Sequence, residues 1–149
     1  MKGATCCIVV FFSLKDKKIF GSDKMRKLET LKKNYQFRNV LTKGKFFYGK
    51  QIIVYIRKNK IDRNRLGIAI HTKLAKAVKR NRLKRLIREN YRLVAKRLLP
   101  GNDIVFLWNK KIEYQEADFF QIQKDMEKVF RKAGILIGEE NLYKNNSDL

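Results

Sequence analysis

A chain of 149 residues with 44% apolar and 11% aromatic side chains can build one domain with a modest core, which excludes a disordered basic tail. Its net charge of +22, from 36 basic and 14 acidic residues, directs it toward a polyanion, either nucleic acid or an anionic membrane surface. A single histidine, His71, and two adjacent cysteines, Cys6 and Cys7, exclude a paired-histidine metal site, a structural zinc and a Cys–His nucleophile. Neighbouring cysteines rarely pair with each other, so a reduced, cytoplasmic setting is expected.

The chain starts with a short apolar run, Cys6 to Phe12 plus Leu14, then Lys15-Asp16-Lys17-Lys18. The run is too short to span a bilayer and no small-residue cleavage site follows it. Met25 opens MRKLETLKKNYQF, which reads like a protein start, so residues 1–27 are expected to be a weakly ordered extension. Asn34 is the expected N-cap of a short helix over Tyr35 to Lys43, with Phe37, Val40 and Leu41 on one side and Gly44 closing it.

FFYGKQIIVYIRKNK follows. Gln51 to Arg57 is expected to be a strand, with Ile52, Val54 and Ile56 on one face and Ile53, Tyr55 and Arg57 on the other. A polar turn over Asn59 to Asn64 leads to a strand from Arg65 to His71. There Leu66, Ile68 and Ile70 oppose Gly67, Ala69 and His71, and the small residues leave room for a close neighbour or ligand. His71 is expected to be structural or RNA-contacting, not catalytic.

Lys73 to Leu99 carries the densest charge: residues 73–97 hold eleven Lys and Arg against one acid, Glu89. No Pro or Gly interrupts it, so one long helix is expected, ending before Pro100-Gly101. At about 100° per residue, Leu83, Leu86, Ile87, Tyr91, Val94 and Leu98 fall on one side and Arg82, Lys84, Arg85, Arg88, Arg92 and Lys96 on the other. Such a face repels itself in water and is better tolerated against a polyanion.

Asp103 to Trp108 reads as a further strand. Glu116 to Ala133 reads as a final helix with Phe119, Ile122, Met126, Val129, Phe130 and Ala133 as a core stripe and Gly134 as its cap. From Gly138 the sequence is polar, and Glu139-Glu140 looks solvated. The order helix, strands, helix, strand, helix implies an α+β domain with one sheet. No phosphate-cradling glycine motif occurs, and no arrangement suits a protein active site.

The segment AVKRNRLKRLIRENYR resembles the signature of the bacterial ribonuclease P protein component. Its arginine–asparagine–arginine core is Arg80-Asn81-Arg82, with Lys84, Arg85 and Arg88 in the family's spacing. The likeness extends through LKKNYQFRNVLTKGKFFYGKQIIVYIRKN and RLGIAIHTKLAKAV to the last strand and helix. It covers residues 28–136, so the tail is 137–149. The resemblance implies a two-layer sandwich with a four-stranded sheet, similar to the second domain of a small-subunit ribosomal protein, with a left-handed crossover through the central helix. It also implies a role: an accessory subunit of an endoribonuclease whose catalyst is an RNA, with magnesium held mainly by that RNA. The protein of such an enzyme docks on the catalytic RNA and binds the 5′ leader of precursor tRNA. Carried over residue by residue, Lys73, Arg80, Asn81, Arg82, Lys84, Arg85 and Arg88 would contact the RNA subunit. Phe37, Val40, Leu41 and Tyr55 would form the leader cleft between the first helix and the sheet. Leu41 stands where the family often has a second Phe, and His71-Thr72-Lys73 with Ala75 departs from the family's serine–lysine–lysine and glycine. On this reading there is no membrane and no obligate protein partner.

Three readings compete with it. A structural RNA-binding module needs no RNA catalyst. An autonomous nuclease would need clustered acids or histidines. A membrane-surface helix would want large aromatics on its apolar side, where only Tyr91 stands.

Overall fold

The computed structural model describes residues 28–137. The expected N-terminal extension with Met25, and all of the tail but its first residue, lie outside them. Three α-helices and four strands follow in the order α1 (Asn34–Lys43), β1 (Lys45–Tyr48), β2 (Ile52–Lys58), β3 (Arg65–Ala69), α2 (Ala77–Ala95), β4 (Asn102–Trp108) and α3 (Phe119–Ala133). The sheet order is β1-β2-β4-β3. Strands β1, β2 and β4 pair antiparallel, while β3 runs parallel to β4, so α2 is the crossover between two neighbouring strands.

The alternation of β2 sorts its residues as expected. Ile52, Val54 and Ile56 face the main core with Leu66, Ile104, Phe106 and Trp108, under a cover from α2 (Leu83, Ile87, Tyr91, Val94) and α3 (Ile122, Met126, Val129, Phe130). Phe106 sits at the centre with its ring edge-on to Tyr91 at 5.9 Å and to Phe130 at 6.0 Å. Burial pushes the Tyr91 hydroxyl far above the usual tyrosine range. On the other face α1 is the one helix among the described residues, packing Val40 onto Val105 with Leu31.

The long helix is shorter at both ends than its propensity predicts. Lys76 is extended and Ala77 begins the helix, because the chain must first turn from the end of β3, with Leu74 N–H donating to His71 O at 3.1 Å. At the other end Arg97 and Leu98 N–H bond three residues back, to Val94 and Ala95, in a tightened last turn. The terminal segment then pairs with it: Leu99 N–H reaches Ile135 O and Ile137 N–H reaches Arg97 O, both at 2.8 Å.

Two caps also shift. In α1 the extended residue is Lys33, so Asn34 lies inside the helix, and the Gln36 side-chain oxygen accepts from Lys32 and Lys33 N–H. In α3 Asp118 is the N-cap and accepts from Gln121 N–H at 3.2 Å, so Glu116 belongs to a preceding 3-10 turn. Gly134 ends α3 with φ 72°, in the left-handed conformation expected of it. Buried Gln51 ties β2 to this corner: its N–H donates to Asp125 Oδ2 at 2.7 Å and its side-chain amide to Glu116 O at 2.6 Å.

Candidate nucleic-acid interface

The α1 side of the sheet is built in three rows by strand register. Phe46, Tyr55, Val105 and Gly67 make one row, Tyr48, Ile53, Leu107 and Ala69 the next, and Arg57, Asp103 and Arg65 the third. Helix α1 covers only part of these rows. Phe37 and Leu41 are half-buried against them, and with half-buried Tyr55 they pack on Leu31, Val40 and Val105 where helix meets sheet, the place at which the resemblance puts a leader cleft.

Gly67 explains how the helix sits so close. A Cβ there would lie 2.7 Å from Phe37 Cε1 and 3.0 Å from Leu31 Cδ1, closer than real side chains approach. Phe37 therefore occupies the space that the glycine leaves and is half-buried there. Val40 is fully buried, so it holds the helix down beneath the cleft surface. Phe47 turns to the opposite face, against the main core. Phe46 takes its place on the cleft side, 54% exposed, with its ring 5.9 Å from Tyr55.

The third row is charged. Arg65 donates through Nε and a terminal nitrogen to the two oxygens of buried Asp103, both at 2.7 Å, and Asn59 adds a third bond at 2.8 Å. The Asp103 hydrogen bonds raise the Arg65 pKa further above its already high value.

The basic helix presents its charge unevenly. Asn81, Arg82 and Arg85 are exposed, and Lys84 and Arg88 are half-buried along one flank. None of these four cations has an acidic partner among the described residues. Arg92 differs, because Glu89 bonds it at 2.7 Å, so the one acid on the helix offsets one cation of the expected run, with Lys96 beyond it. Arg80 bends back: its guanidinium donates to Thr72 O at 3.1 Å and Ala75 O at 3.2 Å, fixing the turn that precedes the helix. Its half-burial matches its place beside the apolar arc. Lys79 lies over the Tyr114 ring, 4.2 Å from its centre, and its hydrogen bond pulls that hydroxyl below the ordinary tyrosine range.

Lys73 stands apart from the helix, in a hollow of about 350 Å³ lined with His71, Leu74 and Lys110. Strands β3 and β4 run parallel, so residues just past both their ends meet there. Sequence reasoning missed Lys110, which lies far away in the chain, and Phe46, whose side of the sheet depends on strand register. His71 is exposed and its Nδ1 accepts from Lys73 N–H at 3.2 Å, a turn-stabilising role. Among the described residues no three His, Cys, Asp or Glu side chains cluster as metal ligands, and no helix is long and apolar enough to cross a membrane.

Comparison with known proteins gives this surface a context. The sequence model of the family Ribonuclease P matches residues 25–134. The "Ribonuclease P protein component" of Clostridioides difficile (strain 630) is 41% identical over 108 residues, 72% of this chain and 93% of that one. The protein of the same name from Natranaerobius thermophilus is 35% identical over 112 residues, 75% of this chain and 96% of its own. Among solved structures, the Staphylococcus aureus RNase P protein superposes with a TM-score of 0.64 at 35% identity, covering 74% of this chain and 99% of that one. The Thermotoga maritima RNase P protein gives 0.63 at 32% identity, covering 70% and 96%. A four-stranded α+β fold, the Arg80-Asn81-Arg82 helix and relatives matched over nearly their whole length agree: the chain belongs to the ribonuclease P protein family, the protein component of the endoribonuclease that removes the 5′ leader of precursor tRNA.

Proposed function

We propose that this chain docks on the catalytic RNA subunit through the exposed side of α2 and the Lys73 corner, and holds the single-stranded 5′ leader of precursor tRNA in the cleft between α1 and the sheet. The observation that carries this reading is the half-buried set Phe37, Leu41 and Tyr55 between α1 and the sheet, together with Arg82, Lys84, Arg85 and Arg88, which have no acidic partner among the described residues. Bases of any identity stack on such rings, and cations attract the backbone without choosing sequence. Asn81 lies between Arg80 and Arg82 with an amide able to bond phosphate or base edges. Arg80 acts mainly by shaping the turn, so its share of the docking is indirect.

Hydrolysis belongs to the RNA. The most buried carboxylates here are already engaged, Asp103 by Arg65 and Asp125 by Gln51 N–H, and magnesium is expected on the RNA at the scissile phosphate. The setting is cytoplasmic, where the two RNAs are found, and no other protein is required.

The test is precursor tRNA cleavage at low magnesium with protein alone, catalytic RNA alone, and both. Cleavage only with both establishes the accessory role. Cleavage by the protein alone would overturn it, and no gain over the RNA alone would leave a general RNA-binding module as the better account.

A further inference from the structure

We infer that Phe46 and Tyr48 extend the single-strand site onto the β1 edge of the sheet, where they stack leader bases beyond those held at Tyr55. This deepens the leader-binding reading above and rests on it. Strand register puts Phe46 opposite Tyr55 and Tyr48 opposite Ile53, so both rings stand on the cleft side. They are 54% and 62% exposed. Phe46 is 5.4 Å from Tyr48 and 5.9 Å from Tyr55, so the three rings form a continuous ledge.

A strand with only packing to satisfy would turn its large rings inward, as Phe47 does. Here two rings, each able to bury about 150–250 Å², stay largely in water on the outermost strand. The surroundings select the occupant. Lys43 and Lys50, just before and just after β1, are exposed and have no acidic partner among the described residues. The carboxylates near the start of β2 are occupied, Asp118 by Gln121 N–H and Asp125 by Gln51 N–H. Ring faces surrounded by unpaired cations, and continuous with Tyr55, suit single-stranded RNA better than an apolar protein segment.

The experiment uses holoenzyme reconstituted with the catalytic RNA, and precursor tRNAs whose leaders lengthen one nucleotide at a time. Dissociation constants are compared for wild type, Tyr55→Ala, a Phe46→Thr/Tyr48→Thr double variant and a Phe46→Trp/Tyr48→Trp double variant. Wild-type affinity is expected to keep rising past the length at which the Tyr55→Ala defect is complete. The threonine variant should match wild type on short leaders and mature tRNA, then stop gaining, with affinity about tenfold lower per base no longer stacked. The tryptophan variant should behave as wild type. Unchanged long-leader affinity in the threonine variant overturns the ledge, as does an equal loss at every length or a tryptophan variant no better than threonine. If Tyr55→Ala is also silent, the cleft reading falls as well; if Tyr55→Ala alone acts, only the ledge falls.

Discussion

Strand β2 serves two surfaces at once. Ile52, Val54 and Ile56 are buried under α2 and α3, whereas Ile53, Tyr55 and Arg57 remain half-buried beside α1. The covered face is dry and continuous, from Trp108 through Phe106 to Tyr91 and Phe130. The other face has, among the described residues, one short helix over it and keeps rings and cations within reach of solvent. Residues of similar apolarity therefore do different jobs. Where two helices complete the packing they stabilise the fold, and where cover is partial they stay within reach of solvent, which is what the leader-binding proposal rests on.

The largest expected effect breaks the covered face. Phe106→Ala should cost about 3–5 kcal/mol of stability and, by loosening the sheet, weaken RNA-subunit and leader binding together; thermal and denaturant melts with both binding assays check it. A variant that melts early yet binds both RNAs normally would uncouple the two faces.

On the partly covered face, Tyr55→Ala should weaken precursor tRNA binding by about 1–3 kcal/mol and leave mature tRNA affinity and the melting midpoint nearly unchanged. Equal losses for both RNAs would contradict leader recognition. On α2, Arg82→Ala or Arg88→Ala should weaken RNA-subunit assembly and lower the slope of log affinity against log salt by about one for each phosphate no longer neutralised. An unchanged slope in both would remove this helix from the docking surface.

The smallest effect tests a flaw in the covered face. Asn90 is fully buried in α2; its amide donates to Leu86 O at 3.0 Å, but Oδ1 has no partner among the described residues. Replacing a half-satisfied polar group with an apolar one of similar shape is near neutral or stabilising. Asn90→Leu is therefore expected to change stability by less than about 1 kcal/mol, or to raise it, without altering RNA binding. A drop of several kcal/mol in a denaturant melt would mean that Oδ1 has a role in the fold.

Much of this was legible in the chain. Alternation placed both faces of β2 correctly, because a strand's side-chain period is two whatever its neighbours are. The helical stripe placed Leu83, Ile87, Tyr91 and Val94 in the core, and the Arg80-Asn81-Arg82 motif pointed to the family. Asn90 escaped notice because a polar residue on an apolar arc reads as a boundary position. The helix start was set too early because Lys73 to Lys76 has helical propensity but is needed for the turn.

The periodic part of this protein follows from its residues alone: which side chains share a face, where the charge is concentrated, and which elements follow in order. Those properties depend on local geometry, about 100° per residue in a helix and about 180° in a strand. Which face is inner and which is outer came from packing. In Lys45–Tyr48 an aromatic residue stands at three successive positions, so alternation alone cannot say whether Phe47 or Phe46 points inward. Pairing with β2 settles it, since a shift of one residue would exchange the two faces. The approach of Phe37 to Gly67, the pairing of Asp103 with Arg65 and the meeting of Lys73 with Lys110 have the same origin. They join positions far apart in the chain, and local geometry carries no information across such distances.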